Sequence, residues 1–259
     1  MADTVILAAL VVGIVVFGGF IKGLAGFGFA LVGTAMLAVV MDPMQAVVVM
    51  ILPMLAADVS LVSELDRDIL RSCIVRFWPY VFMAMAGTAL GMVLLDLIPA
   101  RMLRLGLGIL TLGYVVLHQT WIYIPGLTWF TGRCFRPSRT AQSALGLVSG
   151  LVFGGTNVGV QMVAYLEYLQ LSRSTFVGVL AMIMVGISTL RVGIAGALGM
   201  YETGSVLILS VLAVLPGLLG VFIGGKLRHR TQEDTMDLLV LLLLSVVGIS
   251  LVAGGVFGR

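Results

Sequence analysis

The chain has 259 residues, of which 60% are hydrophobic and 10% charged, with a formal net charge of +3, where soluble domains carry roughly 25% charged residues. This balance excludes a water-soluble globular protein and places the chain in a bilayer. The basic excess comes from arginines between apolar runs, as the positive-inside bias produces, and no contiguous basic face with polar readout residues is present for a nucleic acid.

The first apolar run covers about residues 4–41. As one helix it would be roughly 57 Å long, nearly twice the ~30 Å of hydrocarbon, so it must break or turn. The stretch Gly19-Phe20-Ile21-Lys22-Gly23-Leu24-Ala25-Gly26-Phe27-Gly28 marks the place. The N-terminus offers Asp3 and no Lys or Arg, and the first run continues into a second, so it reads as retained and not as a secretory signal. Spans follow at about 45–63, 74–95 and 98–118, which completes a first repeat over 1–118. Residues 119–141 form a cytoplasmic linker whose Trp121, Tyr123, Trp129 and Phe130 read as an interfacial aromatic belt. The second repeat, 142–259, opens with a hairpin over 142–170 and continues with spans at about 174–197, 203–225 and 236–257. That hairpin is too short to cross twice and is expected to be re-entrant, which a membrane tolerates where backbone is buried or lines a cavity.

The halves correspond in sequence. Gly19-x3-Gly23-Leu24 aligns with Gly146-x3-Gly150-Leu151, Gly28 with Gly155, and Gly87-x3-Gly91 after Pro79 with Gly220-x3-Gly224 after Pro216. The pattern is a tandem duplication of a unit of about 125–130 residues, as in secondary transporters. Taken singly, each Gly-x3-Gly pair is explained by close helix packing. If each hairpin enters and leaves on one side, one face collects Arg67, Arg71, Arg76, Arg133, Arg136, Arg139, Arg173, Lys226, Arg228 and Arg230, and the other only Arg101, Arg104 and Arg259. A single crossing by 142–170 would leave no bias. The rule therefore favours hairpins, with the ten-charge face cytoplasmic and the second half inverted. The expected fold is all-α and polytopic, with two inverted repeats, each a broken hairpin plus three transmembrane helices.

A helix broken at glycines leaves unbonded N–H groups and partial positive charge at the start of its second half, which suits an anion. Gly26 and Gly28 would open the second half-helix of the first hairpin, and Gly154, Gly155, Thr156 and Asn157 that of the second, with the Thr hydroxyl and Asn amide as donors. The competing reading has the glycines serve tight crossing and Thr156 and Asn157 bond locally. Lys22 is the only lysine in the first 225 residues; it either attracts an anion in the break or snorkels at an interfacial turn. Asp58 and Arg191 lie in the spans after each hairpin and are expected to face a central cavity and to pair, unless each is solvated near an interface. Asp58 and Glu167 are the coupling candidates.

Catalytic readings find little support. Gly220-x4-Gly225-Lys226 is followed by Leu227 where a phosphate loop needs a hydroxyl, and His118 and His229 have no metal-site companions. Cys73 and Cys134 stand apart without ligand spacing. No metal or cofactor is expected, and no enzyme.

Gly19 through Leu31, the Asp42-Pro43 turn and the Gly146 to Asn157 counterpart together resemble the sulfite exporter family, TauE/SafE-like, also called the 4-toluene sulfonate uptake permeases. The resemblance covers nearly the whole chain. Many members carry three glycines in the first break, where this chain has Gly26-Phe27-Gly28-Phe29. The resemblance implies transport of sulfite, sulfonates, sulfoacetate or similar carboxylates across a bacterial plasma membrane. The expected function is a secondary transporter, an exporter working by alternating access, in which Lys22 and Arg191 supply positive charge. Its partners are the small anion and the bilayer, with H+ or Na+ as coupling ion for uptake; a homodimer is compatible with this. The alternatives are an anion channel, an uptake permease for organic carboxylates coupled to H+ or Na+, and a non-transporting membrane assembly protein.

Overall fold

A computed structural model describes residues 2–63, 67–118, 139–159, 162–163, 165–166, 173–201, 204–227 and 233–257. The described residues are helical almost throughout, in eleven helices. In chain order these are α1 (Ala2–Ala25), α2 (Phe29–Val40), α3 (Pro43–Val49), α4 (Ile51–Val62), α5 (Arg67–Leu97), α6 (Ala100–His118), α7 (Arg139–Thr156), α8 (Arg173–Ala197), α9 (Gly204–Leu212), α10 (Val214–Leu227) and α11 (Glu233–Phe257). Among the described residues, four runs are long and apolar enough to cross a membrane: Pro43–Val62, Trp78–Leu95, Gly178–Ala197 and Gly204–Leu227. The aromatic belt, the linker up to residue 138 and Glu167 lie outside the described residues.

The first apolar run breaks as its length requires. α1 stops at Ala25, Gly26 and Gly28 take positive φ (86° and 94°), and α2 begins at Phe29. Only glycine adopts such angles without a Cβ penalty. Phe29 then packs against Gly18, so the chain doubles back instead of continuing along α1. The next helix starts at a strong cap: Asp42 accepts from the Met44 and Gln45 amides at 3.0 and 3.3 Å, with Pro43 at the first helical position.

Two of the expected single spans are divided, and proline explains both. Pro53 has no N–H for the Val49 carbonyl, and the ladder is interrupted at Met50 between α3 and α4; Pro216 denies a donor to Leu212, and the ladder is interrupted at Ala213 between α9 and α10. In the first case a remote side chain fills the vacancy, since the Ser210 hydroxyl donates to the Val49 carbonyl at 2.8 Å.

Three helix pairs make the most extensive contacts: α5 with α7, α1 with α10, and α6 with α11. Glycine makes the first two possible. A methyl group at Gly150 or Gly154 would overlap the Ala84 or Thr88 carbonyl, and one at Gly23 the Val221 carbonyl. Bare backbones at these positions let the helices meet at van der Waals distance, which is how helices associate where lipid removes the hydrophobic drive. α4 packs against α8 between these pairs.

Candidate functional site

The second break is placed by a different residue from the one expected. α7 runs on through Gly154, Gly155 and Thr156, and the interruption begins at Asn157, the only non-glycine residue with positive φ (61°) among those described. Asparagine tolerates this region better than other residues with a Cβ. Gly159 opens the continuation, its carbonyl accepting from the Met162 and Val163 amides at 3.0 and 3.2 Å. Gly154, Gly155, Thr156 and Asn157 therefore do not form the start of a half-helix, and the expectation that they present free donors is corrected. Gly154 and Gly155 lie in the last turn of α7 against Thr88 and Gly91 of α5. The Thr156 hydroxyl donates to Val152 O at 2.6 Å and accepts from the Val158 amide at 3.2 Å. Asn157 Nδ2 donates to the Thr34 hydroxyl and the Val47 carbonyl, both at 2.9 Å.

Both breaks line one cavity of about 40 Å3, bordered by Gly26, Phe27, Gly28 and the first turn of α2 on one side and by Phe153, Gly159 and Val163 on the other. That is above the roughly 10–15 Å3 that a single water molecule requires. Gly28 caps α2 without any side-chain acceptor. The amides of Phe29, Ala30 and Leu31 have no preceding helical turn to bond to, and all three residues line the cavity. The partial positive charge of that helix start thus lies at the cavity wall.

Lys22 lines the same cavity from the last turn of α1 and is 5% exposed. It is not a snorkelling residue. Its Nζ lies 2.5 Å from Oδ1 of Asp58, which is fully buried in α4. The expected pairing of Asp58 with Arg191 is therefore replaced by a pairing with Lys22. Two segments 36 positions apart meet here, and neutralising the lysine removes much of the cost of holding it in hydrocarbon.

Among the described residues, Arg191 has no acidic partner. It is the largest of the fully buried side chains, at 0% exposure, and none of its three guanidinium nitrogens has a hydrogen-bond partner. Its guanidinium lies over Phe153, with Cζ 5.1 Å from the ring centroid, and interacts electrostatically with Tyr201. A cation over a ring gains up to about 2 kcal/mol when desolvated, against several kcal/mol for taking an ion out of water. Phe153 is common to both features, since it borders the cavity and carries the guanidinium over its face.

Phe153 and Gly159 are the site residues that the sequence reading missed. The signal was present: sliding the alignment by one helical turn sets Gly19-x3-Gly23 on Gly150-x3-Gly154, Gly26 on Asn157 and Gly28 on Gly159.

Residues 11–251 of the chain match the family described as Sulfite exporter TauE/SafE. No curated protein and no solved structure gives a significant match.

Proposed function

The chain belongs to the Sulfite exporter TauE/SafE family, and from that premise we propose that it exports small sulfur-containing oxyanions by alternating access, with the anion held between the two helix breaks. Membership makes it an integral membrane transporter of the sulfite and sulfonate type, in keeping with its long apolar helices. The observation that carries the site is Arg191, a buried cation whose guanidinium meets an aromatic face and, among the described residues, no acceptor. An oxyanion supplies what it lacks, because a guanidinium offers a planar fork of donors matched to two oxygens. Lys22 and the first-turn amides of α2 line the cavity itself, and Phe153 borders that cavity while carrying the guanidinium on its ring.

Reciprocal packing supports a two-repeat architecture over residues 1–118 and 142–259. The first helix of each half lies against a helix of the other half, α1 on α10 and α7 on α5, and the two final helices, α6 and α11, lie on each other. Two inverted units joined through a cytoplasmic linker would exchange contacts in this way. The strong bias of positive loops to one face supports a plasma-membrane orientation with that face inside.

Proteoliposomes given a panel of sulfite, sulfonates and carboxylates test the reading. Saturable flux of small sulfur oxyanions, stimulated by counter-substrate, is expected. Flux that rises linearly without saturation would indicate a channel, and no flux of any sulfur oxyanion would remove the proposal.

A further inference from the structure

Lys22 belongs to two structures at once: it borders the cavity, and it is the partner of Asp58. We propose that a sulfonate bound at Lys22 drives a proton onto Asp58, so that the protein moves this anion together with a proton; this rests on the cavity being the anion site.

The argument is one of charge in a confined space. Asp58 is fully buried, its Oδ1 is bonded to Lys22 and its Oδ2 has no partner. An oxyanion arriving at the ammonium from the cavity, which Lys22 lines and Arg191 does not, places two negative groups on one buried cation. Like charges sharing a low-dielectric site do not both stay ionised, and the weaker acid takes the proton. A sulfonic acid is far stronger than a carboxylic acid, so the proton goes to Asp58.

Among the described residues, Lys22 is the one cation shown in contact with Asp58. Of the helices packed against α4, α3 and α9 have no titratable residue, α8 carries Arg173 and Arg191, and α10 carries Lys226. Lys226 is exposed and lies over the Phe222 ring, and Arg191 lies over Phe153. Lys22, from α1, is the residue described as bonded to Asp58.

The cycle balances without any co-reactant. Water on the side of anion entry supplies a proton to a carboxylate oxygen of Asp58, and no bond within the anion changes. When the anion leaves, the Lys22 ammonium again faces Asp58 alone, and the proton is released to that side. A monovalent anion then crosses with no net charge, and its direction follows the anion and pH gradients instead of the membrane potential.

Reconstituted full-length protein in vesicles containing a pH-sensitive dye tests this with methanesulfonate, which stays ionised throughout the working range. Anion movement and lumenal pH are followed together. Wild-type protein is expected to move one proton per anion, and Asp58→Asn to lose at least tenfold in that ratio whatever its rate. Anion movement without protons in the wild type, or an unchanged ratio in Asp58→Asn, overturns the coupling and leaves the transport reading standing. No methanesulfonate or sulfite movement by the wild type overturns both. If Asp58→Asn does not fold, proton uptake by purified wild-type protein on binding methanesulfonate decides: one proton per bound anion is expected, and none overturns the proposal.

Discussion

The Nδ2 of Asn157 donates to the carbonyl oxygen of Val47 at 2.9 Å, joining the break after α7 to the interruption between α3 and α4. The same nitrogen reaches the Thr34 hydroxyl on α2, so one amide ties three interrupted segments together. Its partners are structural, and its role differs from that of a ligand donor.

Asn157→Ala is therefore expected to weaken the fold more than anion recognition. It strips the Val47 carbonyl of its donor and leaves a Cβ residue at φ 61° without the compensating amide. The loss is about 2 kcal/mol, from roughly 1 kcal/mol for the buried bonds and a similar backbone strain. Thermal unfolding in detergent should show it, with Asn157→Gly falling less because glycine removes the strain. An apparent KM for transport should stay within about twofold of wild type.

Ser210 and Pro53 form a matched pair. Ser210→Ala leaves the Val49 carbonyl unsatisfied and is expected to cost about 1 kcal/mol. Adding Pro53→Ala restores a backbone N–H one turn along the helix and should recover part of that loss. Additive effects of the two substitutions in a thermal-stability cycle would contradict this account of the interruption.

The glycines divide sharply by position. Gly150→Ala drives a methyl group into the Ala84 carbonyl, so α5 and α7 must separate, at a cost of about 1–3 kcal/mol. Gly193, on α8, has nothing within 4 Å of a built Cβ, and Gly193→Ala should stabilise by about 0.5–1 kcal/mol through helix propensity alone. Melting temperatures of the two variants should move in opposite directions.

The breaks were legible because glycine is chemically distinctive: a 38-residue apolar run must turn somewhere, and Gly26 and Gly28 are where positive φ is free. The register of the second break was not, because Gly146, Gly150 and Gly154 repeat every four residues and align equally well one turn out. That slip assigned donor roles to Thr156 and Asn157 and passed over Phe153 and Gly159. Charged residues were identified as exceptional by their apolar neighbours alone. Their pairing was beyond sequence, since whether Asp58 meets Lys22 or Arg191 depends on how α1, α4 and α8 rotate against each other. The divided spans were marked by Pro53 and Pro216, whose missing N–H groups can be read directly.

Arg191 gives the account its most direct test, because a cation kept without a partner should cost stability until its anion arrives. Thermal stability of purified wild-type protein and Arg191→Gln, each with and without sulfite, measures this. Wild type should gain about 1–3 kcal/mol from saturating sulfite, while Arg191→Gln should be at least as stable as wild type when empty, because it buries no charge, and should show no gain. An Arg191→Gln protein that is less stable when empty and is still stabilised by sulfite as wild type is would contradict an anion site at Arg191.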